Sequence, residues 1–150
     1  MKANTFTPRT WKTYAEIIAQ AHQSEILVLG EDAPYIGKED QFQRAAARFL
    51  DYLRFHWMHP PNEGSRSDKT GSNLKAKGMK PGASDIIILE PCPCASYVVI
   101  ELKTKGNNMT DDQEQFLKKS AHCGARAFCC YNMDSLEAVI RVFYPHKFKI

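Results

Sequence analysis

Two neighbouring runs of β-branched residues restrict this chain more than anything else in it. Asp85-Ile86-Ile87-Ile88-Leu89 and Tyr97-Val98-Val99-Ile100-Glu101-Leu102 are apolar at nearly every position. A strand with one wet face alternates apolar and polar residues, whereas a run apolar at successive positions needs cover on both faces. Pro91, Pro93 and small residues separate the runs, which predicts a hairpin inside a layered domain. In a hairpin the start of the first strand lies beside the end of the second, so Asp85 comes near Glu101. Residues two apart on a strand share a face. Glu101 and Lys103 therefore point the same way, and Leu102 points into the opposite layer.

The rest of the chain supplies helices to cover that sheet. Phe42, Ala45, Ala46, Phe49, Leu50 and Leu53 recur at helical spacing, predicting an amphipathic helix from Lys38 to Arg54. Thr10 can cap an earlier helix reaching Gln23, with Tyr14, Ile17, Ile18 and Ala21 on its inner face. Ser24 to Gly37 has no clear period; Ile26 to Leu29 would suit a short strand, while Pro34 and Gly37 favour loop. Phe55 to His59 reads as a strand halted by Pro60-Pro61. Asn62 to Ser84 holds four glycines and few apolar residues, which predicts a long loop with a single helical turn at Asn73 to Lys77. Thr110-Asp111-Asp112-Gln113 is a capping box opening a helix to His122, with Phe116, Leu117, Ser120 and Ala121 inward and Gly124 beyond its end. Ala125 to Tyr131 is a further strand. Asp134-Ser135-Leu136-Glu137 opens a last helix that Pro145 stops. The order α-α-β-β-β-α-β-α predicts an α/β fold, a mixed β-sheet flanked by helices, in one domain spanning 1–150.

Composition excludes several classes. The chain has 150 residues, 43% hydrophobic and 25% charged, enough for one ordinary globular core. No apolar run is long enough to span a bilayer, and the N-terminus does not read as a signal peptide, so no membrane partner and a cytoplasmic address are expected. Cys92, Cys94, Cys123, Cys129 and Cys130 form an odd set without an export signal, which argues against a disulfide framework. Cys92-Pro93-Cys94 has one intervening residue, short for a zinc pair; zinc held with His122 and Cys123 is the weaker alternative, and none is expected. Cys129 and Cys130 read as core. The net charge of +3 says little alone, but Arg66, Lys69, Lys75, Lys77 and Lys80 gather between Gly64 and Gly82 against Asp68. Such a segment can track phosphates; taken alone, it is a solvated loop.

Two carboxylates and an ammonium at the end of an apolar hairpin are costly. The acids repel each other, desolvation penalises all three groups, and one lysine cannot neutralise both acids. A hard divalent cation relieves the conflict: Mg²⁺ prefers carboxylate oxygen and keeps waters through which it meets phosphate. The plainer alternative is a surface ion pair of Glu101 with Lys103 or Lys105.

Gly78-Met79-Lys80-Pro81-Gly82-Ala83-Ser84-Asp85-Ile86, then Val99-Ile100-Glu101-Leu102-Lys103, then Gln113, resemble the core of the PD-(D/E)XK nucleases, and within them the virus-type replication-repair nuclease (VRR-NUC) branch. Glu39 and Gln43 match the Glu-x-x-x-Gln that opens that branch's first core helix, and Asn62-Glu63-Gly64 resembles its Asn and Gly after the next strand. The likeness runs from Glu39 to Asn132. One departure is Ser84, where the family often has proline; Pro81 is expected to replace part of its stiffening. The resemblance implies a restriction-endonuclease-like core over 38–144, with 1–37 a variable helix and loop. It implies an Mg²⁺-dependent deoxyribonuclease in which Mn²⁺ substitutes. Asp85, Glu101 and the Leu102 carbonyl would bind the metal. Glu39 would hold a coordinated water or a second ion, Lys103 would orient or deprotonate the attacking water, and Gln113 would face the site from its helix. Gln43, Asn62, Arg66, Lys69, Lys75, Lys77 and Lys80 would contact DNA. His59, with His56 and Trp57, is a weaker candidate for stacking on an unpaired base.

The same resemblance implies an endonuclease acting as a homodimer on branched DNA such as a four-way (Holliday) junction, in DNA repair, and suggests a phage or prophage origin in a bacterial host. The alternatives are a flap or restriction-like nuclease of the same chemistry, or a non-catalytic DNA-binding module on the nuclease fold. Intact Asp85, Glu101 and Lys103 weigh against the last, because paired acids repel phosphate.

Overall fold

The structure, a computed structural model, describes residues 10–20, 25–61 and 68–149, and at 68–70 the backbone alone. The elements run α1 (Trp11–Gln20), β1 (Leu27–Leu29), α2 (Glu39–Tyr52), β2 (Trp57–Met58), α3 (Asp68–Ala76), β3 (Ile86–Ile88), β4 (Tyr97–Leu102), α4 (Asp111–His122), β5 (Ala125–Cys130) and α5 (Met133–Phe143), closed by a 3₁₀ turn at Pro145–Phe148. The sheet is mixed, in the order β1-β5-β4-β3-β2. β4 pairs antiparallel with β3 and parallel with β5; β1 adds to β5 in parallel and β2 to β3 antiparallel.

The two apolar runs are buried for the reason their pattern implies. Ile86, Ile88, Val98, Ile100 and Leu102 face a core shared with Tyr14 and Ile18 of α1, Phe42, Ala46 and Leu50 of α2, and Leu136, Val139 and Ile140 of α5. Ile87 and Val99 face the other layer, where Leu117 and Phe116 of α4 cover them. Cys129 and Cys130 are buried, and burial pushes both thiols up, Cys130 to about 12.

Two elements correct the expected order. Leu27–Leu29 is a true edge strand, and the segment expected as loop with one turn at Asn73 to Lys77 forms the longer helix α3. Gly71 within it lowers helix propensity by about 1 kcal/mol relative to alanine, which hides the helix from a propensity reading. Its end is well specified: Gly78 at φ 105° follows the helix, its N–H donates to Lys75 O at 3.0 Å, and the Met79 N–H reaches Leu74 O at 3.0 Å. That is a Schellman ending, with half-buried Leu74 and Met79 at the two positions that usually touch. α4 behaves as expected, since Thr110 Oγ1 accepts from the Gln113 N–H and Gln113 Oε1 from the Thr110 N–H.

Candidate active site

The register of β3 on β4 pairs Ile86 with Ile100, so the next position brings Asp85 against Glu101. The Leu102 N–H donates to Asp85 Oδ2 at 2.8 Å, tying the acid to the neighbouring strand. Glu39 reaches the same point from the first turn of α2, where the helix dipole also favours an acid. One carboxylate oxygen from each of Glu39, Asp85 and Glu101 lies within 4.8 Å of the other two. Among the described residues this is the group of His, Cys, Asp and Glu side chains arranged to hold a metal ion.

Lys103 Nζ lies 3.6 Å from Glu101 Oε1, with the two side chains 7% and 2% exposed. This is a buried pair, so the surface ion pair weighed above does not describe it. Taking both charges out of water costs several kcal/mol per ion, which a single contact at that distance does not recover. Glu101 Oε2 is buried without a hydrogen-bond partner. Burial, and then the charge of Asp85, raise the Glu101 carboxyl to about 9, against the pull of Lys103. Burial also raises Asp85, opposed by the Leu102 N–H and by the charges of His59 and Lys103. Hard acidic oxygens, one of them orphaned, converging with a net negative charge make a donor set that fits a divalent cation.

The other expected residues fall unevenly around this centre. Gln43 lies one helical turn after Glu39, half-buried, with its Oε1 enclosed and unpartnered. Gln113 spends its side-chain oxygen on the Thr110 cap. Lys75, Lys77 and Lys80 are exposed. Lys80 borders a groove of about 630 Å³ with Ile87, Tyr97, Phe116 and Lys119, on the face to which strand alternation directs Asp85 and Glu101. Asn62 and Arg66 lie outside the described residues, as does the side chain of Lys69. Pro81 is exposed, and the approach to Asp85 is held elsewhere: Gly82 packs on the α4 backbone, and buried Ser84 donates from Oγ to Ile86 O at 3.2 Å. Trp57 donates to Asp51 Oδ1 at 2.7 Å and packs at the core margin. The Cys92 and Cys94 sulfurs lie 3.9 Å apart in the β3–β4 turn. His59 stood in the sequence only as a weaker stacking candidate, and its contact with Asp85 was not foreseen: the ring Nδ1 lies 2.7 Å from the Asp85 carbonyl oxygen.

The VRR-NUC domain model matches residues 38–134, well over half of the chain. The chain belongs to the VRR-NUC family. Its domain is therefore of nuclease type, and the converging carboxylates of this VRR-NUC chain lie inside the matched span. A solved structure described as a VRR_NUC domain protein is similar in fold, with 21% identity, a TM-score of 0.61, and coverage of 73% of this chain and 89% of that one. No curated protein matches the sequence. Among the described residues no helix is long and apolar enough to cross a membrane.

Proposed function

We propose that this chain is a divalent-metal-dependent endonuclease that hydrolyses phosphodiester bonds of DNA, with branched DNA its preferred substrate. One observation carries the reading: Glu39, Asp85 and Glu101 bring carboxylate oxygens together within 4.8 Å beside a buried lysine, and one of those oxygens is enclosed without a partner. Binding alone gives no reason to gather three acids, one of them buried, where a polyanion would dock.

Glu39, Asp85, Glu101 and the Leu102 carbonyl would hold the cation, Mg²⁺ with Mn²⁺ as a substitute. A bound divalent ion offsets phosphate charge and lowers the pKa of a water it holds. Asp85 keeps its place through the Leu102 N–H. Lys103, buried on the same face as Glu101, presents its ammonium to the reacting centre, where it orients the attacking water and steadies charge on the phosphoryl oxygens. Gln43, one helical turn after Glu39, would hold Lys103 or a phosphate. Gln113 serves the helix cap first. Lys75, Lys77 and Lys80 would meet the phosphate backbone, which favours recognition by shape over base sequence.

A homodimer, a core over 38–144 and a variable segment over 1–37 complete this reading. Two copies would give the two active centres that a two-fold symmetric junction needs. The test is cleavage of a DNA panel (duplex, flap and four-way junction) with Mg²⁺, with Mn²⁺ and with chelator. Metal-dependent cutting that favours the junction is expected, and Asp85→Ala and Lys103→Ala should bind DNA yet cut at least a hundredfold more slowly, on the order expected when one transition-state contact is lost. Equal cutting of duplex and junction would remove the branched preference, and undiminished cutting by Asp85→Ala would remove the site.

A further inference from the structure

We propose that His59 is a positioning residue for the metal site: it donates a hydrogen bond to the backbone carbonyl of Asp85 and so fixes the peptide that carries the carboxylate. The inference rests on the metal-dependent reading above and concerns how the chain aims one of its ligands.

The argument starts from the β2–β3 ladder. Trp57 pairs with Ile88 and Met58 with Ile87. Continued outward, the same antiparallel register sets Pro60 against Asp85. Proline has no N–H, and Pro61 follows it, so strand β2 offers no backbone donor where the chain enters β3. An unpaired carbonyl withdrawn from water is costly and leaves its peptide free to rotate. The side chain just before the prolines fills the gap, with His59 Nδ1 at 2.7 Å from Asp85 O in a partly buried contact. A carbonyl only accepts, so Nδ1 carries the proton, and this bond selects the tautomer.

Asp85 is thereby held on both sides of its α-carbon. The side chain accepts from the Leu102 N–H at 2.8 Å, and the main chain accepts from His59. Its neighbours are restrained as well, by the Ser84 hydroxyl on Ile86 O and by Gly82 against α4. Without the His59 bond the Asp85 peptide keeps one restraint fewer, and its second carboxylate oxygen loses its aim toward Glu39 and Glu101. Outer groups that orient metal ligands commonly contribute ten- to hundredfold to metal affinity.

The experiment measures Mn²⁺ binding by calorimetry on the whole protein without DNA, together with thermal unfolding in chelator. His59→Ala should weaken Mn²⁺ binding about tenfold or more. Asparagine carries an N–H₂ close to the position of imidazole Nδ1, so His59→Asn should recover affinity to within about threefold of wild type. Glutamine places its donor farther out, so His59→Gln should stay weak. A role confined to stability would follow the unfolding midpoints instead and would not separate Asn from Gln at matched midpoints. If His59→Ala does not fold, the Asn and Gln pair decides alone. Wild-type affinity in His59→Ala, or equal affinity in Asn and Gln, overturns the assignment of His59 while leaving the metal site standing. A wild-type protein that binds neither Mn²⁺ nor Mg²⁺ overturns both.

Discussion

Gly82 stands at φ 71°, and a methyl group there would overlap the backbone of Asp112 and Gln113 at the start of α4. Two separate costs therefore meet in one residue, a left-handed backbone and a close approach of chain to chain. Gly82→Ala should destabilise the protein by about 2–4 kcal/mol in urea unfolding, with metal binding weakened because Asp85 follows three residues later. A loss under about 0.5 kcal/mol would mean that the loop relocates freely, contrary to its packing. The glycine was legible in the sequence as part of a family-like motif, but its contact was not, since Asp112 lies thirty residues on and meets it only in the fold. Glu101 teaches the same lesson. Its residue type and spacing marked it as a ligand candidate, whereas the enclosure that raises its carboxyl to about 9 comes from neighbours on other strands.

At the scale of elements, the β2–β3 edge and the C-terminal turn are tied through Glu90. Its carboxylate accepts from the His56 N–H at 2.7 Å and from Lys147 Nζ at 2.9 Å, while its carbonyl accepts from the Tyr144 hydroxyl at 2.7 Å. Burial pushes the Glu90 carboxyl up, but the His56 and Lys147 contacts outweigh it and leave it below its usual 4.5. A depressed carboxyl stabilises the fold above its unfolded pKa and loses that contribution as pH falls through the folded value. Glu90→Gln should therefore cost about 1 kcal/mol at pH 7, discounted for partial exposure. The gap from wild type should close as the pH falls below the ordinary carboxylate range, as read by denaturant midpoints across pH 3–7. A gap that widens with acid would reverse the assigned sign. Helices with strong apolar stripes, α2 and α5, were readable from periodicity alone. α3 was not, because its glycine and short apolar stripe resemble loop, and its Schellman ending becomes visible only as backbone geometry.

At the scale of the whole molecule, a sheet covered by α1, α2 and α5 on one face and α4 on the other places three acids at one sheet end. Repulsion stored there predicts that divalent ions stabilise the fold. At free Mg²⁺ or Mn²⁺ a hundredfold above its dissociation constant, the gain is about 2.7 kcal/mol, or a rise of roughly 5–10 °C in the unfolding midpoint. Asp85→Ala should lose that rise, and an equal rise in the variant would show the ion binding elsewhere. By itself the sequence determined the hairpin of buried strands, the amphipathic helices and the residue types of the site, because side-chain period and propensity are local properties written along the chain. The tertiary structure alone decided how closely Glu39, placed at the site by the family resemblance, approaches Asp85 and Glu101, that the Lys103 pair is buried, that α3 is a helix, and that His59 serves Asp85. Each of these depends on groups distant in sequence coming within a few ångströms, and on water being excluded from between them.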